Sequence, residues 1–242
     1  MYKNFFTSFA LTLAFCFLSF GAKAQFNIPS IKPVQEYMED KQHPNVLKRL
    51  ASRYDMRDTK RELKRIKKLI KKNHDALFED EDAIIIGNPR AKITIIEFFD
   101  YNCGYCRRVL PSLIKTLRKN SDVRLILKEL PILGKGSEET ALIALASREQ
   151  GKYFPLHAAL LSNRERLSGE NSLTVARQIG IDIQRLREAS QNSRHWEHLQ
   201  RNRELANTLG IRGTPFFIIG DRFYPGALDE KAFAHILSEI RK

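Results

Sequence analysis

Cysteine is scarce in this chain, with three among 242 residues. Cys16 lies in a leader expected to be removed, which leaves only Cys103 and Cys106. No further cysteine remains for a structural disulfide framework within the chain. No internal repeat or low-complexity tract is evident. No apolar run comfortably reaches the roughly 20 residues of a membrane-spanning helix. Acidic residues are outnumbered, 28 against 41 Lys and Arg, and the formal charge is +13. The length suffices for one sizeable core plus an appendage.

Residues 1–24 read as a cleaved signal peptide. Lys3 supplies the positive start, Phe5 to Phe20 the apolar stretch, and Ala22-Lys23-Ala24 the small-residue cleavage site. An uncleaved anchor is the alternative. Export places the chain in an oxidising compartment, expected to be the periplasm.

Residues 25–78 form an expected N-terminal helical, oligomerising region. Pro29 and Pro33 mark a flexible lead. Val34, Tyr37 and Met38 make a helical stripe, and His43-Pro44-Asn45 interrupts it. Leu63, Ile66, Leu69 and Ile70 form a clear apolar face that Leu77 extends. Such a stripe needs a partner. Self-association through residues 34–78 is preferred over packing on the main domain. Residues 57–72 hold nine Lys or Arg against Asp58 and Glu62. That run reads as the solvated face of the same helix. Export and the lack of interleaved aromatics weigh against nucleic acid.

Residues 79–242 read as a mixed α/β domain. Ala83 to Ile86 is a short edge strand, Ile93–Phe99 a central strand covered on both faces, and Val123–Leu130 another. The helix after Cys103 is expected to reach Asn120 and to kink at Pro111. Residues 137–210 look almost wholly helical, as an inserted block. Phe216–Ile219 and Arg222–Tyr224 make a hairpin, followed by a helix over Leu228–Ile240.

Chemistry gathers at Cys103-Gly104-Tyr105-Cys106. A strand-to-helix junction puts Cys103 where unsatisfied N–H groups favour a thiolate. Cys106 lies one turn inward as the resolving thiol. A small structural bridge and half of a four-ligand metal site are the competing readings, and the second fails for want of ligands. Gly104 leaves room for a docked chain, and Tyr105 offers its ring to one. Arg107 and Arg108 read as solvent-facing. Glu97 interrupts an apolar strand, so it is read as a buried acid that handles the Cys106 proton. The alternative is an edge position or a simple hydrogen-bonded charge. Thr214-Pro215 opens a later strand, where a proline needs a local reason. A cis bond there would present the Thr214 backbone to a peptide, with Gly213 allowing close approach. A trans turn proline is the alternative.

The run Glu97-Phe98-Phe99-Asp100-Tyr101-Asn102-Cys103-Gly104-Tyr105-Cys106, with Gly213-Thr214-Pro215, resembles the DsbA-like branch of the thioredoxin superfamily. The resemblance covers about residues 83–242. It implies a thioredoxin-like α/β fold with an inserted helical domain and an N-terminal helical extension. It implies Cys103 exchanging with substrate, Cys106 resolving and Glu97 handling protons. It also implies that Gly104, Tyr105, Gly213, Thr214 and Pro215 hold a client. The family's best-known oxidase carries Pro-His between its cysteines where this chain has Gly-Tyr, which argues against a strongly oxidising potential. Exported DsbA-like proteins with such N-terminal regions oligomerise and isomerise or reduce disulfides.

The expected clients are cysteine-containing exported proteins, with a membrane redox partner protein and a homo-oligomer. No cofactor, metal or nucleic acid is expected. His195 and His198 share metal-compatible spacing but lack a defined third ligand and read as surface or packing residues. A monomeric dithiol oxidase and a non-enzymatic exported chaperone on the same scaffold are the alternative functions.

Overall fold

Strand β2 (Ile93–Phe99) is the axis about which the domain is built. A computed structural model describes residues 60–242 of the chain. The signal segment, Cys16 and the expected helical stripe at 34–38 lie outside the described residues. A five-stranded sheet runs in the order β1-β3-β2-β4-β5, with β1 (Ile84–Gly87), β3 (Val123–Glu129), β4 (Phe216–Ile219) and β5 (Arg222–Pro225). Among the described residues only the β2–β3 pairing is parallel, joined through a helix as a parallel pair requires. The remaining pairs are antiparallel.

Side-chain alternation sorts the strands onto two faces. Ile95, Phe99, Leu125, Leu127, Phe217 and Ile219 face one core. The helix α3 (Gly104–Lys119) and the C-terminal helix α9 (Glu230–Ile240) pack there. Ile96, Phe98, Ile126 and Ile218 face a second core. Both sides are therefore covered, as a near-continuous apolar strand demands. Pro111 sits inside α3, yet the helix continues to Lys119 with Asn120 as its cap.

The second core corrects an expectation. Helical residues 60–72 (α1) and the short helix α2 (His74–Phe78) bring Ile66, Ile70 and Leu77 onto this sheet face. Leu69 packs beside them. At roughly 1.5–3 kcal/mol for each fully buried aliphatic side chain, this seals the face. The apolar stripe expected to drive self-association is thus covered by its own domain. Lys128 lies on the same face, 1% exposed, and its ammonium meets Asp80 at 2.6 Å.

Between β3 and β4 the chain is helical. It forms α4 (Lys135–Ala146), α5 (Tyr153–Ser162), α6 (Gly169–Gln178), α7 (Ile183–Ser190) and α8 (Ser193–Leu209). Ser168, Asp182, Asn192 and Asp229 cap α6, α7, α8 and α9 with their side chains, which fixes where each begins. Pro225 closes the edge strand β5, where its missing donor costs no ladder bond.

Candidate redox site

Cys103 is the N-cap of α3. Its backbone N–H donates to the Asp100 carbonyl at 3.0 Å, and its own carbonyl receives the Arg107 N–H. Cys103 is 6% exposed, whereas Cys106 is fully buried one turn inside. The Thr214–Pro215 bond is cis, so the expectation of a cis proline holds. Across that junction the Cys103 thiol donates to the Thr214 carbonyl at 3.2 Å. Residues 111 positions apart thereby form one site. A Cβ added at Gly104 or Gly213 would meet open space, so a chain can approach both. Tyr105 is 58% exposed, and the Arg108 guanidinium lies 4.1 Å over its ring.

The two thiols are held far apart in acidity. Hydrogen bonding from the Cys106 thiol is the main cause that pulls Cys103 down to about 5. The Thr214 side chain and the N–H groups of Cys106 and Tyr105 add to it, against the opposing effect of burial. Burial, its bond to Cys103 and the Glu97 charge push Cys106 far up. Cys103 is therefore a thiolate at neutral pH, and Cys106 keeps its proton.

Glu97 sits on the same sheet face as Ile95 and Phe99, the face that α3 covers. Burial, and then the Cys103 charge, raise its carboxyl to about 8. Its Oε1 has no hydrogen-bond partner among the described residues. The edge-position reading fails, because β2 has strands on both sides. A carboxyl that titrates near neutrality, electrostatically coupled to both thiols, can take a proton and release it again.

Several residues that fix this geometry were not found in the sequence. Asp100 is buried and accepts from the N–H groups of Asn102, Ile132 and Leu133. Asn102 exchanges hydrogen bonds with Leu167, accepting its N–H at 2.7 Å and donating to its carbonyl at 3.0 Å. Arg107, expected to face solvent, instead donates to the carbonyls of Tyr101, Arg164 and Glu165. The residues flanking the dithiol thus grip the 163–168 strap of the helical block. A buried polar chain lies behind them. Glu129 accepts from the Tyr153 hydroxyl and meets the His198 Nε2 at 3.3 Å. Tyr101 reaches Tyr153 and the His157 Nδ1. His198 is therefore a buried partner of a carboxylate. The signals were Asp100, Asn102 and Arg107 beside the motif, but their partners lie 32 to 65 residues away.

A reactive Cys103 at a helix mouth, a buried Cys106 and a facing cis-proline on this sheet define a thioredoxin-fold dithiol protein. The DSBA-like thioredoxin domain model matches residues 94–238, and the chain belongs to that family. A thioredoxin-like oxidoreductase from Silicibacter pomeroyi DSS-3 is 37% identical with a TM-score of 0.68, covering 70% of this chain and 98% of that one. The catalytic domain of Proteus mirabilis ScsC is 30% identical with a TM-score of 0.66, covering 72% and 97%. Among curated relatives, the thiol:disulfide interchange protein DsbA of Bordetella parapertussis is 26% identical over 166 residues, 62% of this chain and 78% of that protein. The Na(+)/H(+) antiporter NhaA 3 of Salinispora tropica is 27% identical over 158 residues. The match takes in 64% of this chain and only 24% of the antiporter.

Proposed function

We propose that this chain is a periplasmic thiol–disulfide oxidoreductase acting on cysteine-containing exported proteins. The observation that carries the reading is the Cys103 sulfur, depressed to about 5 at the helix mouth and 3.2 Å from the Thr214 carbonyl. The Cys103 thiolate attacks one sulfur of a client disulfide. A Cys103–client bond forms, the client S–S bond breaks, and one client thiolate leaves. Cys106 then loses its proton, with Glu97 as the nearby acceptor, and attacks the Cys103 sulfur. The Cys103–Cys106 disulfide forms and the second client thiolate departs. The client gains two electrons and this chain loses them. The reverse sequence oxidises a client. Gly104, Tyr105, Gly213, Thr214 and Pro215 line the approach of the client.

The sequence favours isomerase or reductase work. That work needs a reduced protein and is served by an oligomer, for which the N-terminal region that precedes the described residues is the expected handle. The low Cys103 value favours the second reading, a dithiol oxidase, because a stabilised reduced form makes the disulfide a stronger oxidant. Either direction requires a membrane redox partner protein to reset the pair. The deciding experiment gives a scrambled-disulfide client to the full chain in defined glutathione buffers. The wild type should restore native pairing and the Cys103→Ser variant should not. Equal rescue by both would turn the reading toward a non-enzymatic chaperone.

A further inference from the structure

Beside the dithiol lies a cavity of about 320 Å³, lined by Arg212, Gly213, Thr214, Pro215, Phe216 and Pro225 together with two further glycines. Apart from Arg212 and Thr214, the lining residues are glycines, prolines and Phe216. Among the described residues, Arg212 is its only charged lining residue and none of its lining residues is acidic. Thr214 belongs to both this cavity and the Cys103 contact. The cavity therefore adjoins the dithiol through Thr214.

Arg212 also differs from the other arginines of the site. Arg107 is occupied by three backbone carbonyls. Arg108 lies over the Tyr105 ring. Arg212 is exposed and has no hydrogen bond or ion pair among the described residues. A guanidinium left open beside prolines and Phe216 matches a side chain with a short apolar stem and a carboxylate end.

We propose that Arg212 is a specificity-determining residue, which selects client segments carrying an aspartate or glutamate next to the reactive cysteine. The inference rests on the exchange reading above. An extended client paired along residues 213–214 presents alternate side chains to one side. A residue neighbouring its cysteine then enters the cavity, and a carboxylate there meets Arg212. A lysine at that position meets a like charge.

The test uses the reduced full chain and three peptides. Each holds one cysteine as a mixed disulfide with 5-thio-2-nitrobenzoate, and they differ only in flanking Glu, Gln or Lys residues. Attack by the Cys103 thiolate forms the Cys103–peptide disulfide and releases the coloured thiolate, the better leaving group. At low salt the Glu peptide should react about twofold to fivefold faster than the Lys peptide, the scale of one exposed charge contact. Arg212→Gln should bring the ratio near one, Arg212→Glu should invert it, and high salt should shrink it. A Glu-to-Lys ratio near one in the wild type, or one unmoved by both variants, would overturn the inference alone. No release from any peptide would overturn the exchange reading and the inference with it. Unchanged unfolding midpoints of the variants would exclude misfolding as the cause.

Discussion

Replacing Cys106 by alanine should make Cys103 a weaker acid by a calculable amount. The Cys106 hydrogen bond is the largest cause of the depression to about 5. A hydrogen bond to a charged group contributes about 1.5–3 kcal/mol, which corresponds to roughly 1–2 units. The Cys103 midpoint in the variant should therefore move to about 6–7. At pH 6 the thiolate fraction should drop from about 90% to between about 10% and 50%. The Thr214 side chain and the N–H groups of Tyr105 and Cys106 remain, so the midpoint should stay well below the ordinary value of 9.0. Thiolate absorbance near 240 nm against pH, with alkylation of Cys103 followed by mass, reads this directly. Cys106→Ser, which restores a donor, should fall between wild type and alanine. A midpoint unmoved in both variants would refute the role given to Cys106. A return to the ordinary thiol value would refute the roles given to the helix mouth and Thr214.

Glu97→Gln should stabilise the reduced protein at neutral pH. The folded carboxyl is raised from 4.5 to about 8, so wild-type stability is full below the unfolded value and falls as pH rises toward 8. Urea unfolding should show the variant ahead by up to about 3 kcal/mol at pH 7, with no difference near pH 4, while resolution of the mixed disulfide slows. For Cys103 the sign is opposite. Its contribution is present above the ordinary thiol value and lost as pH falls through about 5, so the reduced form should gain on the disulfide form as pH rises across that window and lose ground as it falls. Asn102→Ala removes both bonds to Leu167 and one to Ser137. It should lower stability by about 1–3 kcal/mol and open the 163–168 strap to protease cleavage. Asp80→Ala should cost about 3–5 kcal/mol by leaving the Lys128 ammonium buried and unpaired, whereas Lys128→Met should cost much less in the same urea titration.

What could be read in the sequence was local. An apolar strand, a CxxC at its end and a glycine before Thr-Pro are contiguous signals, and β2, α3 and the cis bond appear where they were expected. Helical periodicity likewise placed the elements of the inserted block. Contacts that depend on distant partners were illegible. Arg107 has the pattern of an exposed helix residue until the 164–165 carbonyls arrive. His198 and Glu129 are 69 residues apart. The stripe at Ile66 and Ile70 posed a different problem, because an apolar helix face reads the same whichever surface covers it. Only the fold shows that its own sheet does so.

That packing sets an order of events for a chain that folds as it emerges. Ile66, Ile70 and Leu77 precede every strand of the sheet, yet their cover includes Leu205, Leu209 and Ile211. The first described helix is therefore among the last to be sheltered. Until the distant α8 is delivered, its greasy side is guarded only by the lysines and arginines around it. Mutual repulsion among those cations keeps nascent copies apart during the interval when they are most prone to stick.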